Sequence, residues 1–337
     1  EEGNPLLTKY FKPLQALLFL CCCLVLTGCS SSNTKPTTIK IGVLRVPNDV
    51  AVAQERKMLQ AKCRHYGMKV QFITFDSGVD ANKALLSNSV QLATMGHTNA
   101  VVAMAARIPV KLVWINDIIG SNEALTVRRK AHITNWDSFK GKSIATPFAS
   151  TSHYSLMMLL KHHHLTGKVR VLDMQTPEIV AAWQRGDIDG AYTWEPSLSA
   201  LTDGKVMINS RSMAQRGYLT ANVTLATNSF INAHPNILRT ILSCLNKVHL
   251  QFENDPQELY LDAAKSLSMP TSVIKKQIGT SQWLNTHQQE AFISHTFRTQ
   301  FFNTAQFMWQ QQTLSRPISR KDCAQFVTVR FLNSGGQ

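Results

Sequence analysis

The sequence predicts an α/β protein built from two lobes, and three observations carry that expectation. The part after the N-terminal leader runs to about 300 residues, more than one hydrophobic core usually serves. Short apolar strands alternate along it with amphipathic helices, the pattern of open, mostly parallel sheets covered by helices. Two extended segments, Glu123–Arg128 (EALTVR) and Asn222–Thr227 (NVTLAT), interrupt that alternation where the chain would leave one lobe and return to it.

Taken in order, Ile39–Leu44 alternates into a first strand, and Asp49–Tyr66 follows as an amphipathic helix. Val70–Phe75 is a strand closed by Asp76-Ser77-Gly78, and Asp80–Asn88 is helical. Val90–Met95 is a strand whose turn, Gly96-His97-Thr98-Asn99, leads into helix Ala100–Ala106, and Val110–Ile115 is a strand again. Such sheets bind ligands at the carboxyl ends of their strands, here the turns Arg45–Asp49, Asp76–Gly78 and Gly96–Asn99. A second unit runs through strand Lys142–Thr146, helix His153–His164, strand Val169–Met174, helix Pro177–Arg185 and strand Ala191–Trp194. The remainder, Pro235–Arg330, reads as helices broken at Pro256 and Pro270.

The N-terminus reads as an export signal. Lys9 and Lys12 precede an apolar run from Leu14 to Leu26, too short to span a bilayer comfortably, and Leu26-Thr27-Gly28-Cys29 supplies a small-residue cleavage site. That tetrapeptide is similar to a bacterial lipobox, which implies cleavage before Cys29, lipidation of its sulfur and membrane attachment through the lipid. Residues 1–28 are then a signal peptide and 29–38 a polar tether. Cleavage leaves Cys63, Cys244 and Cys323 beside Cys29, and one disulfide plus a thiol and three buried free thiols both fit. The net charge of +14 comes without a long Lys/Arg run or a nucleic-acid motif, so a nucleic-acid partner is not expected, and a basic surface can steer anions. Neither a Gly-x-Ser-x-Gly, a His-Glu-x-x-His nor a P-loop occurs, which weighs against an enzyme. No cofactor and no metal are expected. His162-His163-His164 point in different directions around a helix, and Asp187 and Asp189 in RGDIDG read as turn residues.

Two stretches carry the functional reading: TPFASTSHYSLMMLLK (Thr146–Lys161) and AAWQRGDIDGAYTWEP (Ala181–Pro196). In the first, Ser150, Thr151 and Ser152, with His153, stand where a helix begins; their hydroxyls suit a helix cap, and with the free N–H groups they suit an anion. In the second, a strand delivers Trp194 and Glu195, suited to core packing and a solvated loop or to cation–π and ionic contact with an ammonium. Both stretches closely resemble the second lobe of the taurine-binding group of ABC-importer substrate-binding proteins, within the wider sulfonate, nitrate and thiamine-precursor family. The resemblance implies a type II periplasmic binding protein fold with a two-segment hinge: residues 39–124 and 224–337 form lobe 1, and residues 125–223 form lobe 2. It implies a monomeric extracytoplasmic receptor, lipid-anchored in the periplasm or at the outer face of the cell membrane. Its ligand would be a small anion, taurine or an alkanesulfonate, and its partners an ABC permease and its ATPase.

The resemblance makes Ser150–Ser152 the anion cradle and places Glu123, at the first crossing, beside the cleft as an amine partner. Gln175 ends a strand and could reach ligand. Taurine-binding relatives carry an Asp where this chain has Asn222. Lobe 1 also departs from them: His97, Thr98 and Asn99 replace a serine-rich turn, and Arg45 lies in a different first loop. Arg45, and His97 if protonated, could each give a charge-assisted bond to an anion. The alternatives are another small anion or a thiamine-precursor-like ligand, a sensor rather than an importer component, and an enzyme on the same fold.

Overall fold

The computed structural model describes residues 38–332. The signal peptide, Cys29 and the tether lie outside the described residues, apart from Thr38. Two five-stranded mixed sheets, each layered between helices, form the framework. In the first, β1 (Thr38–Leu44), β2 (Lys69–Phe75) and β3 (Leu92–Gly96) are parallel, while β4 (Val110–Ile118) forms an edge. In the second, β6 (Ser143–Thr146), β7 (Arg170–Asp173) and β8 (Gly190–Trp194) are parallel, while β9 (Gly204–Asn209) forms an edge. The crossing segments slot between these parts. β5 (Glu123–Arg128) enters the second sheet antiparallel between β8 and β9. β10 (Ala221–Thr227) returns antiparallel between β3 and β4. The sheets are therefore less purely parallel than the alternation predicts, because both crossing strands enter against the direction of their neighbours.

Side-chain alternation explains how each sheet buries both faces. In the second sheet Ile144 and Tyr192 face a core with Leu156 and Leu160, whereas their neighbours Ala145 and Ala191 face Ile179 and Trp183. In the first, Ile39, Ile41 and Val43 join one large core that also collects the C-terminal helices Pro235–Asn254 and Arg298–Gln310. The predicted helix over 49–66 is two helices, Asp49–Glu55 and Met58–Arg64, because Lys57 adopts a left-handed conformation (φ 53°). The helix expected at Ala100 begins at His97, and the one expected at His153 begins at Thr151. β9 was not expected at all: its strand GKVMIN is half exposed and weakly patterned. Cys63, Cys244 and Cys323 are all buried and carry free thiols. The Asp189 carboxylate does not cap its own turn: it accepts the N–H of Ser143, the first residue of β6, at 2.9 Å.

Candidate functional site

The two lobes meet where two helices begin. Gly96 closes β3 and caps helix His97–Ala105; Ser150 caps helix Thr151–His162, its Oγ accepting the His153 N–H at 3.1 Å. A Cβ added at Gly96 would lie 3.0 Å from Thr151 Cγ2, so the start of one helix touches the start of the other. The first N–H groups of a helix have no partner within it and carry partial positive charge, so two such ends facing one point favour an anion. Between them lies a small cavity, with space for roughly one water (about 10 Å³), bordered by Thr98, Ser150, His153, Tyr154 and Gln311. The Thr98 hydroxyl is buried there without a hydrogen-bond partner among the described residues.

The chain's own carboxylate occupies part of this pole. Glu123, the first residue of β5, is 1% exposed. Its carboxylate accepts the Thr151 hydroxyl on one oxygen and the Ser210 hydroxyl, at 2.5 Å, on the other. Burial pushes its pKa above the ordinary carboxylate range, while the hydrogen bonds from the Ser210 and Thr151 hydroxyls pull it back. The cradle predicted at Ser150–Ser152 is thus corrected in part. Ser150 Oγ also donates to the Pro147 carbonyl at 2.5 Å, and the Thr151 hydroxyl donates to Glu123. What remains is the helix start itself and the Ser152 hydroxyl, buried without a hydrogen-bond partner among the described residues. His153 stacks on Phe148 with centroids 4.4 Å apart, and burial lowers its pKa to about 4, so it is neutral at pH 7.

Trp194 pairs with Glu123 across β8 and β5 and is half-buried, which sets an aromatic ring beside the carboxylate. Glu195 differs from both sequence readings. It is buried rather than solvated, and its two oxygens accept the Ser199 N–H (2.9 Å) and hydroxyl (2.8 Å), so its charge serves helix Ser197–Ala200. His97 is corrected likewise. Its Nδ1 accepts the Ala221 N–H at 3.3 Å and its Nε2 faces Thr304 Oγ1 at 3.1 Å. Burial lowers its pKa to about 4, so it is neutral and turned into the core instead of being a cation facing ligand. Arg45 is exposed and 3.8 Å from Asp76, and Gln175 stands exposed at the end of edge strand β7; neither joins the cluster.

Asn222 lies beside Gly96 on one side and Asp117 on the other. Its Nδ2 donates to Asp117 Oδ1 at 2.9 Å. Asp117 is the residue that sequence reasoning missed; an acidic side chain ending the apolar run VKLVWINDI is the signal that could have found it. Burial raises its pKa to about 7, opposed by the hydrogen bond from Asn222. Because the folded pKa lies above the unfolded one, the folded state holds this proton more tightly. Stability from that proton is full in acid and is lost as pH rises through about 7. Asp117→Asn should therefore gain stability relative to the parent between pH 5 and pH 8. Thermal unfolding of both proteins at the two pH values checks this, and a difference that does not change with pH would refute it.

A family model described as NMT1/THI5 like matches residues 64–259. The taurine-binding periplasmic protein of Escherichia coli is 32% identical over 83% of this chain and 90% of its own length. A putative aliphatic sulfonates-binding protein of Bacillus subtilis is 23% identical, covering 92% of each chain. Among solved structures, the alkanesulfonate-binding protein SsuA of Xanthomonas axonopodis pv. citri, bound to MOPS, superposes with a TM-score of 0.71 at 20% identity, over 88% of this chain and 99% of that one. That likeness shows a shared periplasmic binding protein fold, in accord with the two sheets and their exchanged crossing strands. The chain belongs to the NMT1/THI5-like family, and within it to the family of the taurine-binding periplasmic protein.

Proposed function

We propose that the chain is the extracytoplasmic solute-binding protein of an ABC importer, taking taurine or a related short aliphatic sulfonate between its lobes and handing it to a permease. The observation that carries this reading is the contact of two helix starts, one from each lobe, at Gly96 and Thr151. A sulfonate is ionised at every physiological pH and accepts several hydrogen bonds, which suits converging backbone N–H groups and the unpartnered Thr98 hydroxyl. Glu123 and Trp194 lie immediately beside this pole, as a carboxylate and an aromatic face suited to an ammonium. A zwitterion with its charges at opposite ends matches both halves, and the name of the 32% identical relative supports that choice.

In this reading residues 39–124 and 224–337 act as one lobe and 125–223 as the other, opening and closing about β5 and β10. The protein works as a monomer held at the membrane by lipid on Cys29, and binding makes or breaks no covalent bond. Isothermal titration of the protein with taurine, ethanesulfonate and longer alkanesulfonates tests the proposal. Micromolar or tighter binding of taurine supports it, and no heat from any sulfonate at millimolar concentration would sink it.

A further inference from the structure

We propose a second binding site, a basic pocket at the end of the first sheet that faces away from the cleft, which takes a small soluble phosphate monoester. β4 and β10 run antiparallel, with Asn222 beside Asp117 at the cleft and Thr227 beside Val110 at the other end. The strand between Val110 and Asp117 spans roughly 20 Å at about 3.3 Å per residue. At that far end the start of β4, helix Asn228–Ala233, the start of helix Arg298–Gln310 and the closing segment 324–331 surround an open pocket of about 560 Å³, a size that suits a small molecule. The closing segment is held there by strand pairing: Val327 bridges Leu112, and the Thr328 N–H donates to the Leu112 carbonyl at 3.0 Å.

Lys111, Arg298 and Arg330 line the pocket, and no Asp or Glu among the described residues does. None of these three cations forms an ion pair among the described residues. Lys111 Nζ donates to the Gln325 carbonyl at 2.5 Å and keeps further N–H groups for another acceptor. Arg298 Nη2 reaches the Val327 carbonyl only at 3.4 Å, and its Nε is buried without a hydrogen-bond partner among the described residues. Arg330 is exposed, its guanidinium carbon 5.4 Å from the centre of the Phe331 ring, which props the cation at the rim. Positive charges gathered in a concave surface without a counter-charge favour an anion. They favour a dianion over a monoanion, and guanidinium forks match phosphate oxygens two at a time. A phosphate monoester carries about −1.5 to −2 charge at pH 7. Ile231, Val329 and Phe331 add apolar wall, which receives the organic group of an ester and gives inorganic phosphate nothing. The pocket shares no residue with the candidate site, so the inference stands apart from the proposed function.

The test is isothermal titration of the full protein with phenyl phosphate, in phosphate-free buffer with taurine in excess to occupy the cleft. A dissociation constant below about 1 mM is expected, at least about threefold tighter than for inorganic phosphate. Arg298→Gln and Arg330→Gln should each weaken phenyl phosphate by about 10-fold or more and leave the taurine titration unchanged. Arg330 stands exposed at the rim, so its variant keeps the test readable if Arg298→Gln unfolds. Lys205→Gln, exposed on β9 of the other sheet, removes the same net charge and should change nothing. No binding of phenyl phosphate at millimolar concentration, equal affinity in parent and Arg330→Gln, or an equal loss in Lys205→Gln would overturn the proposal. Vesicles of phosphatidylcholine with and without phosphatidic acid form a second arm. Vesicle binding that the arginine variants abolish, without binding of the soluble ester, would overturn a soluble ligand in favour of a lipid head. Failure of taurine to bind leaves the phenyl phosphate titration readable, because the two sites are separate.

Discussion

Glu123→Gln is expected to lower affinity for taurine by about 10- to 100-fold while changing affinity for ethanesulfonate, which lacks the amine, by less than about threefold. Loss of a charge-assisted hydrogen bond removes ~1.5–3 kcal/mol, which is the larger factor. Glutamine keeps the volume of Glu123 and one acceptor oxygen, so Ser210 or Thr151 retains a partner and the hinge packing survives. Only the charge that would meet a ligand ammonium in the proposed function is deleted. Titration of both ligands against parent and variant decides the matter. An equal loss for both ligands would mean that Glu123 acts only by holding the starts of helices Thr151–His162 and Ser210–Gln215, not by meeting the amine. Glu123→Ala should weaken both ligands, since it strands buried hydroxyls and opens a cavity at the junction of the lobes.

The frame of this molecule was largely legible, and the reasons lie in particular residues. Strands such as Ile39–Leu44 and turns such as Gly96–Asn99 announce themselves through local alternation and small polar residues. The crossing segments stood out because EALTVR and NVTLAT break a helix–strand rhythm. Side-chain direction was less legible. The hydroxyls at Thr151 and Ser152 stand where expected, yet a hydroxyl can serve a ligand or a neighbour, and Glu123 arrives from 28 residues away to claim Thr151. His97 reads as a polar loop residue until β10 and helix Arg298–Gln310 close over it. Asp117 gains meaning only through its pairing with Asn222, 105 residues on, across a ladder whose register shifts at a bulge. The break at Lys57 has no glycine or proline to signal it. Local pattern fixes elements; the chemistry at their ends depends on partners that only the closed topology supplies.

Beneath the candidate site, Asp49→Ala should cost about 3–5 kcal/mol of folding stability, the largest single loss expected anywhere in the first lobe. Asp49 is fully buried at the end of the β1 loop. One oxygen accepts Trp114 Nε1 at 2.7 Å and faces His249 Nε2 at 2.9 Å; the other accepts Asn116 Nδ2 at 2.7 Å and the Val50 N–H at 2.8 Å. His249 Nδ1 lies 2.7 Å from the Leu284 carbonyl, so the ring bridges that carbonyl and the Asp49 carboxylate. Removing the carboxylate strands three or four buried donors at once, and no water can reach them without opening the core. The effect extends to the ligand side, because Asn116 Oδ1 also accepts the Thr224 hydroxyl at 2.8 Å, which ties β10 to β4 two residues from Asn222. Slackening that tie frees the Asn222–Asp117 pair, so taurine affinity should fall together with stability. Urea unfolding and titration of the same variant measure the two losses. A stability loss under about 1 kcal/mol would show that the four contacts are replaceable, and an unchanged affinity would show that β10 is held in place without them.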